Sequence, residues 1–241
     1  MSGTIRATAN DILNQVGVEV GLDPAVDPFS SNDQSYSQLS YLINTAGEEL
    51  SYLYPWEFLR KKATIITTGA NSYDLPDDFL YLLNQTVWDY DEDEPLVGPI
   101  TPQNWAELEA RDTAGTTAVY FRMVDDQIAL YPEAIAAGKT IKFEYINRNW
   151  VLDSDTGTSY KDKVTTGADI PQFNRTLLGR MLKVKFLEAK GFDTTKAQAD
   201  LNQAFGLMTA RNKGAPILSI APSRRGKLIN SYNAPDSGYG S

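Results

Sequence analysis

The chain has 241 residues, of which 42% are hydrophobic and 22% charged, as in a globular protein with one large domain or one domain carrying an insert. Cysteine and histidine are both absent, which excludes disulfides, Cys/His zinc sites and every nucleophilic dyad or triad that uses either residue. Any acid–base catalysis would fall to Asp, Glu, Lys or Tyr. No apolar stretch approaches the roughly 20 residues of a membrane-spanning helix. Residues 1–20 also lack a signal-peptide pattern, so we expect no membrane partner.

The net charge of −9 is distributed unevenly along the chain. Residues 171–241 contain eleven Lys or Arg and four Asp or Glu, a charge of +7, which leaves −16 on residues 1–170. Such asymmetry indicates that the two parts contact different neighbours. Chance variation among solvated charged faces is the alternative that the sequence leaves open.

Two amphipathic helices are predicted near the start of the chain, over 4–20 and 33–54, because apolar residues recur there at helical spacing. A loop containing Pro24 and Pro28 separates them. In the second helix the apolar steps alternate between three and four residues, which predicts a narrow seam packed against another helix. The seam residues are Tyr36, Leu39, Ile43, Ala46, Leu50 and Leu53.

After Pro55 the pattern changes to β-branched and alternating segments. A hairpin is predicted with its turn at Asp125 and Asp126, and a short helix over 101–111, where Pro102 suits the first helical position. These elements together predict a small antiparallel β module over 61–152. The predicted strands cover 63–68, 73–75, 82–90, 118–124, 127–131 and 139–150.

The next segment, 153–170, is rich in Thr, Ser, Gly and Asp without periodicity, which predicts a long polar loop. Helices are predicted over 171–190 and 194–213, with Gly191 as the C-cap between them. The chain as a whole is therefore predicted to have an α+β fold. Its parts are a helical bundle scaffold from 1–60 and 171–213, an inserted β module over 61–152, the loop over 153–170, and an extended C-terminal arm over 214–241.

The C-terminal arm contains three prolines, which forbid a long helix, yet it is too apolar for a simple linker. We predict that the arm becomes ordered when it binds another protein chain, and that its basic residues steer it to an acidic surface. The predicted partner-binding residues are Ile217, Leu218, Ile220, Arg224, Arg225, Lys227, Leu228, Ile229 and Tyr232.

The acidic run 89–94 resembles the start of a calcium-binding EF-hand loop. Such a loop needs glycine at its sixth position and a bidentate glutamate at its twelfth, where this chain has Glu94 and Ile100. A solvated strand end or loop is the preferred interpretation, and a weak surface cation site stays open. No glycine-rich phosphate loop occurs, and we predict no catalytic, cofactor-binding or metal-binding residue.

Three local patterns, in this order, are similar to a known family. They are the segments 54–59 (YPWEFL) and 73–79 (YDLPDDF), and the segment 128–132 (IALYP) followed by Gly138 and strand 141–145. The series resembles the head-to-tail adaptor proteins of tailed phages, of the podophage type that includes the T7 tail tubular protein A and the SU10 adaptor. The resemblance spans about residues 5–210.

This resemblance implies a structural protein of the virion, made in the host bacterial cytoplasm. It implies a homo-oligomeric ring of about twelve copies that binds the portal protein on one side and a tail nozzle or tail tube protein on the other. Genomic DNA would pass through the channel without specific binding, and the polar side of helix 33–54 would be a candidate contact with a neighbouring copy. Two alternatives stay open: a carboxylate-dependent glycan- or peptidoglycan-active enzyme, and a capsid or tail-fibre binding module.

Overall fold

The structure, a computed structural model, describes residues 7–111, 118–132 and 137–212. The described residues form five α-helices, one short 3₁₀ helix and eleven short strands, so the predicted mixed α+β class is confirmed. The predicted C-terminal arm and all nine of its partner-binding residues lie outside the described residues. The helices are α1 (Ala9–Glu19), α2 (Gln34–Leu53), α3 (Pro102–Arg111), α4 (Arg175–Lys190) and α5 (Thr195–Asn212), and the 3₁₀ turn covers Glu57–Leu59.

The strands form three antiparallel sheets, and the longest strand, β8, lies at the centre of the largest. Strands β1, β3 and β4 all pair with β8, and β5 pairs with β4. The other two sheets have the orders β10-β9-β11 and β2-β7-β6. The strands are β1 (Arg60–Ile66), β2 (Ser72–Asp74), β3 (Phe79–Leu82), β4 (Trp88–Asp89), β5 (Glu94–Pro95), β6 (Tyr120–Val124), β7 (Gln127–Tyr131), β8 (Thr140–Asn147), β9 (Val151–Leu152), β10 (Tyr160–Lys161) and β11 (Ile170–Pro171).

Helix α1 begins later than the apolar pattern predicts. Thr8 is its N-cap, and the Thr8 side chain and the Asp11 carboxylate each accept a hydrogen bond from the other residue's backbone N–H. This capping box fixes the start at Ala9, so the predicted start at residue 4 is wrong. Periodicity alone does not mark a helix start, because residues before the cap can continue an apolar spacing.

Helix α2 confirms most of its predicted seam, since five of the six seam residues are buried. Leu53 is the exception, and 58% of it is exposed. An α-helix drifts by about 20° per heptad relative to a strict alternation of three and four residues. After two heptads Leu53 has therefore rotated to the edge of the packed face.

Two predicted elements in the second half of the sequence start or end elsewhere. The strand predicted over 82–90 is broken: the chain turns at Gln85, whose φ is +62°, and returns as β4 beside the same central strand. Helix α4 begins at Arg175 and not at 171, because Asn174 caps it and Pro171 pairs with Val151 in the small sheet. The predicted hairpin β6-β7 and the left-handed cap Gly191, with φ +72°, are confirmed.

Helix α4 is the common packing partner of the other long helices, since α1, α2 and α5 all contact it. Its apolar stripe is wide, and seven of its residues are buried. A separate core lies between the largest sheet and the β2-β7-β6 sheet, and it includes Phe121, Ile128 and Phe143. The described residues therefore form two hydrophobic clusters. One lies among the helices and includes strand residues such as Ile146 and Val151, and the other lies between the two sheets.

The segment 153–170 contains β10 and the first residue of β11, and it is anchored to the helices. The Asn44 side chain donates to the carbonyl of Val164 and accepts from its N–H, at 3.1 and 2.7 Å. The N–H of Ala9 donates to the carbonyl of Asp169 at 2.8 Å. The composition of the segment predicted a long polar loop. Composition does not report these partners, because they lie more than 100 residues away in sequence.

The Asp169 carboxylate organises this segment from a fully buried position. It receives hydrogen bonds from the backbone N–H groups of Ser154, Thr165 and Thr166, and Lys161 Nζ lies 2.8 Å from it. Burial by itself would raise the pKa of Asp169, but Lys161 and these N–H donors outweigh burial and hold the pKa well below its usual range.

Replacing Leu182 in α4 with Asp places an unpaired carboxylate in a fully buried position. We expect Leu182→Asp to lower the free energy of unfolding by about 3 kcal/mol or more, because a lone charge loses its hydration there. Urea denaturation followed by circular dichroism measures the loss. The matched control is Leu207→Asp, since 55% of Leu207 is exposed on α5. Equal stability of the two variants would remove Leu182 from the core.

Replacing Asp169 with Asn removes the charge but keeps the shape of the side chain. We expect a loss of about 3 kcal/mol at neutral pH, because one member of a buried ion pair is removed. The contribution of Asp169 is present above the unfolded pKa of about 3.9 and is lost as the pH falls through the lower folded pKa. The difference between wild type and Asp169→Asn should therefore shrink in acid. The exposed Asp162→Asn serves as control, and a difference independent of pH would contradict this role.

Candidate partner-binding surfaces

The acidic run 89–94 forms the β4-β5 turn and is closed by its own hydrogen bonds. Asp89 is buried and accepts from the N–H groups of Asp91 and Glu92, at 2.9 and 3.3 Å. Lys139 Nζ lies 3.4 Å from the Asp89 carboxylate and 3.0 Å from that of Glu92. Across residues 7–111, 118–132 and 137–212, no group of three Asp or Glu side chains is placed to hold a metal ion. The run is therefore a strand end and turn, the preferred interpretation of the sequence.

Six carboxyl groups among the described residues have a pKa that clearly departs from its ordinary value. Wherever their pKa departs from the ordinary value, the shift is downward. For Asp78, burial opposes the shift, but hydrogen bonds from Lys61 and Tyr145 outweigh burial. A glycosidase acid needs the opposite shift, so the pKa pattern gives no support to a carboxylate enzyme.

The segment 54–59 joins the helices to the sheet through Trp56. The Trp56 indole N–H donates to the carbonyl of Leu50 at 2.7 Å, and only 3% of the residue is exposed. Its ring meets those of Phe173 and Phe205 edge to face, with centroids 5.9 and 6.0 Å away. Trp56 therefore fills the junction between the helices and the sheet.

Phe58, two residues later, lies at the surface of the same junction, with 37% of the residue exposed. It contacts Trp56 on one side, at a centroid distance of 6.1 Å, and Phe173 at 5.3 Å. Phe58 forms part of an open groove of about 370 Å³, called here the α5 groove. The groove is lined by Trp56, Phe58, Gln172, Phe173, Asn174, Leu177, Met208, Arg211 and Asn212.

The outward face of α2 carries aromatic side chains at positions where a solvated helix usually has polar ones. Tyr41 is 81% exposed and Tyr52 is 56% exposed, with Thr45 and Glu48 between them on the same face. Spacings of three and four residues place the four side chains in one row along the helix. Exposed tyrosines in such a row are typical of a protein–protein contact.

The open face of the largest sheet combines aromatic and basic side chains. Lys62 Nζ and Lys142 Nζ lie 4.7 and 4.2 Å from the centroid of the Tyr90 ring, and 40% of Trp88 is exposed beside them. Neither lysine has an ion-pair partner within the described part of the chain. The face is therefore a second surface suited to a partner, particularly an acidic one.

Sequence reasoning placed partner binding on the arm and missed the sheet face. For α2 it indicated the polar side of the helix but named no residue there. Tyr41 and Tyr52 fall opposite the predicted seam, and aromatic residues at polar positions were the available signal. The sheet face gave no such signal, because Tyr90 and Lys142 are about 50 residues apart and meet only through strand pairing.

Comparison with known proteins gives a family for the chain. The model of the SU10 adaptor protein family matches residues 7–224, which includes all of the described residues and the beginning of the arm. A search of curated proteins gave no match. In the described residues, no helix combines the length and the apolar character needed to cross a membrane. The match covers far more than half of the chain, and the protein therefore belongs to the SU10 adaptor protein family, a family of phage head-to-tail adaptors.

Proposed function

We propose that this protein is a head-to-tail adaptor of a tailed-phage virion, forming a ring of about twelve copies beneath the portal protein. The ring links the portal to a tail nozzle or tail tube protein and lets genomic DNA pass through its channel. The family match over residues 7–224 carries this proposal. The charge of −16 on residues 1–170 supports the passage of DNA, because acidic walls repel phosphate and prevent tight binding.

The surface of the protein supports a role in assembly. Exposed tyrosines on α2 and the basic, aromatic face of the sheet give each copy two separate surfaces for neighbours. Two different surfaces on one subunit are what a head-to-tail ring contact requires, since each copy presents one surface to each neighbour. The absence of cysteine is compatible with synthesis in the reducing cytoplasm of the bacterial host.

The C-terminal arm supplies the proposed attachment to the portal. Its apolar residues are spaced along a proline-containing segment, and Arg224, Arg225 and Lys227 give it a positive charge that suits an acidic surface. An extended segment that orders on a preformed groove or sheet edge gains backbone hydrogen bonds as well as apolar burial. Attachment by such a charged segment weakens at high salt.

The proposal as a whole is tested by electron microscopy and mass measurement of the protein mixed with the portal protein of its phage. We expect rings of adaptor copies on one side of the portal. The portals could instead stay bare in the two-dimensional classes at protein concentrations well above micromolar. That result would argue for one of the alternatives, a capsid or tail-fibre binding module or a carboxylate-dependent enzyme.

Deleting residues 214–241 should leave a folded chain that no longer attaches stably to the portal, because the arm is the proposed attachment device. Far-ultraviolet circular dichroism measures the helix content, which we expect to stay unchanged, and co-sedimentation with the portal measures attachment. A full-length variant with Arg224, Arg225 and Lys227 changed to Glu is the matched comparison, since it keeps the length of the arm. Wild-type attachment of the truncated chain would exclude the arm from this role.

Changing Tyr41 to Glu should reduce the number of adaptor copies on each portal without altering the thermal midpoint of the isolated chain. The physical reason is that an exposed tyrosine contributes little to folding, whereas a buried charge in a subunit contact is costly. Tyr160→Glu is the control, because Tyr160 is also exposed but lies on β10 and not on the outward face of α2 that carries Tyr41 and Tyr52. Complete rings formed by Tyr41→Glu would remove α2 from the subunit contact.

A further inference from the structure

We infer that the α5 groove binds a segment of this same chain, residues 216–220, which lies at the beginning of the C-terminal arm. This inference concerns the isolated subunit and does not depend on the proposed ring. It divides the arm into a proximal part that packs on its own subunit and a distal part, from residue 224 onward, that is left for a partner.

The groove leaves part of an apolar surface, including the Phe58 ring, uncovered by the described residues, beside the polar side chains of Gln172, Asn174, Arg211 and Asn212. Its buried lining includes Leu177 and Phe173, which are 1% and 4% exposed, while the Phe58 ring stays 37% exposed. Phe58 packs on Trp56 and Phe173. Each square ångström of apolar surface removed from water contributes roughly 25 cal/mol, so covering this ring is favourable.

The position of the groove along the chain identifies its occupant. Helix α5 ends at Asn212, which itself lines the groove and accepts a hydrogen bond from the N–H of Glu57 at 3.3 Å. The chain that follows therefore starts at the edge of the groove. At roughly 3.3 Å per residue, the six residues from 213 to 218 reach at most about 20 Å, which is the length of chain available to fold back onto the groove.

The sequence of the segment suits a reversal followed by an apolar insertion. Gly214 can adopt the conformations of a tight turn, and Pro216 favours an extended chain. Leu218 and Ile220 are two residues apart, so in an extended chain they point to the same side, with Ser219 on the other. Two aliphatic side chains on one side match the apolar lining of the groove.

Charge favours the proximal part of the arm over the distal part as the occupant of the α5 groove. Residues 216–220 are uncharged, and the rim of the groove carries Arg211. The cluster of Arg224, Arg225 and Lys227 would be repelled by that rim. The family match ends at residue 224, so it includes Leu218 and Ile220 but only the first residue of the distal arm, Arg224. The part of the arm that the family model matches is thus the part that can reach the groove.

A disulfide trap tests the inference in the full-length protein, which has no cysteine of its own. The test variant carries Met208→Cys, inside the groove, and Leu218→Cys. The control carries Leu207→Cys with Leu218→Cys, since Leu207 is the adjacent residue of α5 but is 55% exposed and does not line the groove. Both pairs have nearly the same separation in sequence, so a freely sampling arm would oxidise them at similar rates.

We expect the groove pair to form an intramolecular disulfide about tenfold faster than the control, because a bond requires Cα atoms within about 7 Å. Non-reducing electrophoresis and mass spectrometry measure the bond. Equal rates, or a product that links two chains, would overturn packing on the same subunit; a linked pair of chains would assign the groove to a neighbour's arm.

A single substitution gives a second readout that needs no disulfide. Leu218→Glu should lower the thermal midpoint of the isolated full-length chain by about 3 °C, and Ser219→Glu should leave it unchanged. An unchanged midpoint for Leu218→Glu would contradict the inference. Neither experiment contains the portal protein. Failure of the groove inference can therefore be distinguished from failure of the proposed portal attachment.

Discussion

The packing of Trp56, Trp150 and Phe173 is the constraint on which the rest of the structure depends. Trp150 is 1% exposed and lies directly against Gly47 of α2, where a Cβ would come within 2.2 Å of the indole. Its ring also packs on Phe173, at a centroid distance of 5.7 Å. Because Trp56 follows α2, Trp150 follows β8 and Phe173 precedes α4, the three rings hold the ends of these elements in one place. The helices and the largest sheet are positioned relative to each other by this contact.

A second anchor lies in the polar segment between β9 and α4. A fully buried carboxylate, Asp169, gathers three backbone N–H groups and Lys161, while Asn44 pairs with Val164 as another strand would. Buried polar groups of this kind are costly unless they are satisfied, and here each has its partners. The segment therefore serves the fold, and among the described residues the α2 face and the sheet face stay exposed.

Membership of a phage adaptor family agrees with the chemistry that the described residues display. Their shifted carboxyl groups are held in the ionised form by hydrogen bonds and cations, which stabilises the folded structure. An adaptor acts through the shape and charge of its surfaces. The aromatic side chains exposed on α2 and around Phe58 are accordingly the most informative features of the molecule.

The sequence by itself determined the elements whose signals are local: the seam of α2 up to Leu50, the β6-β7 hairpin, the cap at Gly191 and the mixed α+β class. Tertiary structure decided what depends on distant residues. Asn147, the last residue of β8, is polar but buried, because its side chain donates to the carbonyl of Leu59, which lies 88 residues away in the 3₁₀ turn just before β1. The α5 groove likewise combines three segments separated by more than 30 residues. Periodicity reports one face of one element, whereas burial is set by whichever elements pack on the other face.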